Sequence, residues 1–168
     1  MISIILACDN NWGIGFENSL QYHFAKDLKR FKELTSKKTV VMGRKTWESL
    51  PFKLPNRTNI VISRAYMELN KNPDLIFDSI IPVLEMAKTE DIWVIGGSEI
   101  CQLFMPYIDV IELTKVECER KYDANIKFLE NELKNFSIHN IENITDFDKK
   151  ENVELNIQFI TYNRKKDS

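Results

Sequence analysis

Short apolar runs that alternate with helical segments constrain this chain more than any other feature. The runs Ile2–Cys8, Thr39–Met42, Asn59–Ser63, Ile92–Ile95 and Val110–Val116 are dense in β-branched and other apolar residues. Runs of this kind suit strands buried on both faces, as in parallel sheets. Helical spacing fills the gaps, at Ala25–Thr35, Thr46–Leu50, Ser79–Lys88 and Ser98–Phe104. Strand alternating with helix predicts an α/β fold in three layers, a mostly parallel twisted sheet with helices on both faces. The end differs. Phe136–Ile144 and Val153–Asn163 are long and β-rich, and the stretch 146–150 between them is polar and turn-like. These two are expected to close the sheet as an antiparallel hairpin.

At 168 residues the chain is expected to form one domain spanning 1–168. No apolar run approaches the ~18 residues of a membrane span. The opening run from Met1 to Cys8 is short for a signal segment and no basic residue precedes it, so a first strand is the expectation. Three widely spaced cysteines, Cys8, Cys101 and Cys118, form no C-x-x-C pair. A disulfide framework or a zinc site is not expected, no metal is assigned, and a reducing cytoplasm fits. The formal net charge of −2 argues against a nucleic-acid binder, but it hides a split. Residues 1–70 carry an excess of five cations, and the remainder an excess of seven acids.

Asp27 is the most informative single residue. On a helical wheel Phe24, Leu28, Phe31 and Leu34 form one apolar stripe, and Asp27 falls inside it. Lys29, Arg30 and Glu33 fall on the opposite side, with Lys32 at the edge, and Lys29 and Arg30 are expected only to steer anions or to solvate the surface. A carboxylate among core-facing residues is costly without a partner, so Asp27 reads either as a functional group or as an acid that complements the dipole at the helix N-terminus. Two glycine turns add a second signal. Val41-Met42-Gly43-Arg44-Lys45-Thr46 and Val94-Ile95-Gly96-Gly97-Ser98 each read as strand, glycine and helix start. Glycine lets backbone approach a ligand closely, and the free N–H groups of a first helical turn attract anions. Ser63-Arg64 follows another strand. Neither G-x-G-x-x-G nor a Walker pattern is present.

In order and at family spacing, these segments resemble dihydrofolate reductase over essentially the whole chain. The resemblance rests on Gly13-Ile14-Gly15 with Glu17-Asn18, Asp27-Leu28-x-x-Phe31-Lys32, Val41-Met42-Gly43-Arg44-Lys45-Thr46-Trp47-Glu48-Ser49, Leu54-Pro55-x-Arg57-x-Asn59, Ile95-Gly96-Gly97, and Leu113-Thr114 with Asp123. It implies hydride transfer from NADPH to dihydrofolate, giving tetrahydrofolate, in a cytoplasmic monomer without nucleic-acid or membrane partners. It gives Asp27 the catalytic role at the pteridine, with Thr114 fixing its carboxylate and Tyr22 holding a nearby water. Ile5, Ala7, Leu28, Phe31, Leu50 and Leu54 would wall the substrate. Arg57 would take the glutamate-tail carboxylate, with Lys32 at the edge. Ala7, Ile14, Ile95 and Cys101 would lie against the nicotinamide. Gly43, Arg44, Lys45, Thr46, Gly96, Gly97, Ser98, Glu99 and Ile100 would hold the pyrophosphate. Arg44, Ser63 and Arg64 would take the 2′-phosphate. Gly15, Asn18, Ser19 and Leu20 in the loop Asp9–Phe24, together with Ser49, complete the implied cofactor contacts. Asp123 would brace that loop.

The chain departs from the bacterial pattern at Gln21-Tyr22, where Pro-Trp is usual, and at Cys101, where an aromatic residue is usual. Tyr122 and Ala124 flank Asp123 in place of Gly and Thr. An altered rate or antifolate sensitivity is therefore expected. The alternatives are the related pyrimidine reductase of riboflavin synthesis and a relative that binds folate and NADPH without turnover.

Overall fold

Side chains that point alternately to either face of strands buried on both sides sort the chain into layers. The computed structural model describes all residues except Asn18, Gln21, 65–70 and 167–168, and of Ser19 and Leu20 only the backbone. In chain order the elements are β1 Ile2–Cys8, β2 Gly13–Phe16, β3 Ser19–Leu20, α1 Ala25–Thr35, β4 Thr39–Gly43, α2 Arg44–Ser49, β5 Thr58–Ile62 and β6 Leu75–Phe77. They continue with α3 Ile81–Met86, β7 Ile92–Val94, α4 Ser98–Phe104, β8 Val110–Val116, β9 Ala124–Asn125, α5 Phe128–Glu132, β10 Phe136–Asp148 and β11 Val153–Arg164. Eight strands form one sheet in the order β10-β11-β8-β1-β7-β4-β5-β6. Every pair from β8 across to β6 is parallel, whereas β11 runs antiparallel to both β8 and β10. The expected architecture and closing hairpin are both present.

Successive residues of a strand face opposite ways. Ile2, Ile4 and Leu6 of β1, Val41 of β4, Ile60 of β5 and Val94 of β7 pack with Val83, Phe104 and Leu129 from α3, α4 and α5. The intervening residues Ile5, Val40, Met42, Val61 and Trp93 pack with Trp47 of α2 and Phe31 and Leu34 of α1. Among the described residues these are two cores, one on each face, with the second beneath the candidate site, and a third, smaller cluster joins Phe24, Val116, Ile157 and Phe159.

Several boundaries differ from the sequence reading. The hairpin turn falls after Asp148 rather than over 146–150, because β10 pairs with β11 as far as Asp148 opposite Val153. β6 is a short edge strand whose Leu75 and Ile76 are exposed, so it carries no core pattern. β2, β3 and β9 form a separate small sheet within the loop segments.

Candidate active site

α1 begins at Phe24, whose extended backbone bridges to Asp148, and ends where Lys37 turns to φ 62°. It has one fully buried residue, Thr35. Phe31 and Leu34 are half-buried, and Leu28 is 46% exposed. The apolar stripe therefore faces a cleft rather than a sealed core. Ile5, Phe31, Leu50, Leu54 and Ile95 meet in one cluster at its floor and sides. Ala7 lies beside Thr114 in the sheet register.

Asp27 faces this cleft half-buried, and Thr114 Oγ1 donates a 2.6 Å hydrogen bond to its Oδ1. Burial lifts the Asp27 carboxyl above the ordinary carboxylate value. The Thr114 hydroxyl and then the Arg30 charge oppose that shift, and Asp146 adds to it. A carboxyl in this setting gives up its charge more readily than an exposed one, and it keeps one oxygen free for a ligand.

Arg57 is held before any ligand arrives. Its Nε donates to Pro55 O at 3.0 Å and its Nη1 to Thr35 Oγ1 at 3.2 Å. The loop carrying it is fixed by Asn59, which is wholly buried. Asn59 Nδ2 donates to the carbonyls of Leu54 and Arg57, and its Oδ1 accepts from Leu54 N. Lys32 is exposed at the last turn of α1. An open groove of about 1110 Å³ lies beyond Arg57, at the starts of β4 and β5, and is bordered by Lys37, Lys53 and Asp91. It is at the other end of those strands from Gly43.

At that other end the two glycine turns meet. Gly43 N donates to Gly96 O at 2.9 Å, and Ile95 N to Val41 O at 2.9 Å. A Cβ on Gly43 would stand 3.0 Å from Ile100 Cγ1, and one on Gly97 would stand 3.7 Å from Thr46 Oγ1. Gly96 sits at φ +127°, a conformation that side chains rarely adopt, and the Gly96–Gly97 peptide is cis. Bare backbone is thus presented between the starts of α2 and α4, a cradle that suits phosphate oxygens. Arg44 and Lys45 flank it, although Arg44 also pairs with Glu48 at 3.6 Å. Ser98 and Ser63 are half-buried, and Ser49, Arg64 and Glu99 are exposed. Asn18 lies outside the described residues, as do the side chains of Ser19 and Leu20. Gly15 is buried and pairs with Ala124 of β9. Asp123 Oδ2 accepts from Glu17 N at 3.0 Å, and Asp123 N donates to Gly15 O, despite the altered neighbours.

The family model for dihydrofolate reductase matches residues 1–164. The chain belongs to the dihydrofolate reductase family. It is 35% identical to the dihydrofolate reductase of Bacillus subtilis, with all of this chain and 97% of that one covered. It is 38% identical to the enzyme of Neisseria gonorrhoeae over 73% of this chain and 76% of the relative. Among solved structures, dihydrofolate reductase from Enterococcus faecalis complexed with NADP(H) and RAB-propyl superposes with a TM-score of 0.85 at 27% identity, covering 99% and 97% of the two chains.

Within that family frame three side chains do not stand where the sequence placed them. The Tyr22 hydroxyl is buried rather than open to a water in the cleft. Tyr22 stacks on Phe24 with centroids 5.6 Å apart, lies under Arg120 at 4.3 Å, and buries its hydroxyl beside Cys118 without a well-formed hydrogen bond. Burial is the main reason its phenol is pushed upward. Cys101 has no exposed surface; it packs into the core on the far face, where burial raises its thiol to about 12. Arg30 is not a solvated cation. It forms an ion pair with Glu112 and is only 18% exposed. The sequence reading also missed Asp9 and Asp148, both wholly buried. Asp9 accepts from Asn11 N, Gly13 N and Arg120 N, and so ties the start of the loop to the far end of β8. The local Asp-Asn-Asn-Trp-Gly turn chemistry was the only sequence signal for it.

Proposed function

We propose that the cleft reduces 7,8-dihydrofolate to tetrahydrofolate with NADPH, and that Asp27 is the residue that binds and charges the pterin. The half-buried Asp27–Thr114 pair over an apolar floor carries this reading. A carboxylate can accept two parallel hydrogen bonds from the amidine-like edge of a pyrimidine ring, which is a strong and directional pairing. Thr114 holds one oxygen so that the carboxylate plane is set before binding. When bound, NADPH supplies the hydride. The proton that balances it passes from solvent to pterin N5, and the ionised Asp27 carboxylate, poorly solvated in the cleft, favours positive charge on the ring beside it. Ile5, Ala7, Phe31, Leu50 and Leu54 hold the pterin and benzoyl rings and exclude water. Leu28, on the same face of α1, offers its exposed side chain to those rings. Arg57 takes the tail carboxylate with its remaining donors. On the cofactor side Gly43, Thr46, Gly96 and Gly97 fit a pyrophosphate, and Arg44, Ser63 and Arg64 border the space for a 2′-phosphate. The reading includes a monomer in the cytosol, where the free thiols Cys8, Cys101 and Cys118 stay reduced.

The test is loss of NADPH absorbance in the presence of dihydrofolate. Asp27→Asn should lose at least about 100-fold in turnover near neutral pH, the usual worth of an acid–base group, while its NADPH affinity stays unchanged. Full activity in that variant rules out the role given to Asp27.

A further inference from the structure

The register of three strands makes a two-rank platform under α1. Ala7, Thr114 and Phe159 are neighbours in one rank, and Ile5, Glu112 and Thr161 in the next. A helix advances roughly 4.5 Å in three residues and a strand roughly 6.6 Å in two. α1 therefore sets Asp27 over the first rank, at Thr114, and Arg30 over the second, at Glu112.

The second rank is tightly built. Arg30 Nη2 donates to Glu112 Oε2, and Thr161 Oγ1 donates to the same oxygen at 2.8 Å. The guanidinium carbon stands 4.7 Å over the Phe159 ring. Arg30 is 18% exposed and Glu112 10%. Arg30 Nη1 is buried and makes no hydrogen bond to the described residues. Around Asp27, α1 contributes Arg30, β8 contributes Thr114 and, one rank on, Glu112, and β10 contributes Asp146. Asp146 is itself engaged by Lys26 N at 2.9 Å, and Lys26 Nζ turns away to Thr145 O. β1 and β11 present no charge there, only Ile5, Ala7, Phe159 and Thr161.

Glu112 has two effects on Asp27 through this arrangement. It keeps Arg30 from swinging onto the Asp27 carboxylate, which a ligand needs free. It also offsets part of the Arg30 charge that would otherwise act on Asp27. We propose that Arg30, clamped by Glu112 and Thr161, is a positioning residue of the reduction, and that the balance of this pair sets which protonation state Asp27 offers the substrate. The proposal rests on the role of Asp27 given above.

Two neutralising substitutions should push Asp27 in opposite directions, which a purely structural pair would not do. The direct readout is carbon-13 NMR titration of carboxyl-labelled full-length protein without ligands, with Asp27 assigned by the signal lost in Asp27→Asn. Arg30→Met leaves Glu112 unpaired and should raise the Asp27 midpoint by about one unit. Glu112→Gln leaves Arg30 unpaired and should lower it by about one unit. The double variant should return close to the parent. Thr161→Val keeps both charges and should move the midpoint by no more than a few tenths. Single variants that shift the midpoint in the same direction, or leave it in place, overturn the proposal. A Thr161→Val shift as large as that of Arg30→Met also overturns it, because packing would then be the cause. The pH dependence of single-turnover hydride transfer separates the two readings. NMR midpoints that diverge as stated establish the coupling. If the rate profiles fail to follow them, the proton role of Asp27 falls instead.

Discussion

Asp148→Asn should destabilise the fold severely, although the residue lies in what reads as a polar turn. Asp148 has no exposed surface, and Arg120, 15% exposed, approaches its Oδ2 at 2.6 Å. Its Oδ1 accepts from His23 N at 2.8 Å and Lys150 N at 3.1 Å. These hydrogen bonds and the Arg120 charge hold the carboxyl below the ordinary carboxylate value, against the opposing effect of burial. An asparagine can still accept at Oδ1, but its amide would face the guanidinium donor to donor. Removing one member of a buried pair and stranding the other costs about 3–5 kcal/mol. For a domain of this size each kcal/mol moves Tm by roughly 2–4 °C, so a fall of roughly 6–20 °C is expected. The pH dependence gives a second check. A depressed acid stabilises the fold above its unfolded pKa and loses that contribution as pH falls through the folded one. The gap between parent and variant in urea unfolding should be constant from neutral pH to about 5 and should narrow below the unfolded value of about 3.9. A loss under about 1 kcal/mol at neutral pH, the range of surface pairs, would refute the argument. So would a gap that stays constant into acid.

Asp27→Asn should have the opposite effect on the ligand-free protein. Because the Asp27 carboxyl is raised in the fold, its ionisation costs stability above the unfolded pKa; the variant should melt higher at neutral pH, with the gain fading in acid. Differential scanning calorimetry at two pH values checks this, and a lower Tm at neutral pH would contradict it. Arg57→Met should raise KM for dihydrofolate by roughly 10–150-fold, the worth of a charged hydrogen bond, and leave KM for a pterin without the tail unchanged. Equal effects on both substrates would remove Arg57 from the tail site. Gly43→Ala should weaken NADPH binding by roughly tenfold, since a few tenths of an ångström must be found at Ile100; fluorescence titration with unchanged circular dichroism is the measurement, and unaltered affinity would show that the cradle is not used.

The layers were legible because strands buried on both faces read as continuous apolar runs. β1, α1, α4 and β8 have the bounds the apolar runs and helical spacing gave them. Asp27 was legible because its helix alone shows it out of place. The wheel failed for Arg30, on the same helix, because the partner that removes it from solvent is on β8, 82 residues away. Tyr22 failed similarly. Its chain position next to the site says nothing of the cluster of Val116, Ile157 and Phe159 into which it turns. Asp148 read as turn because its burial is created by Arg120 and His23, not by its neighbours. Charges that pair across the sheet leave no periodic trace, whereas apolar faces do.

The buried amide of Asn59 gives the Arg57 loop its order at folding rather than at docking. Loop ordering therefore takes nothing from the binding energy of a tail carboxylate. An analogue without that carboxylate forfeits the full value of the contact, with no relief from a loop left slack. Such analogues should reach the cleft at much the same association rate and leave it sooner. Selectivity for the intact substrate would then be expressed as residence time.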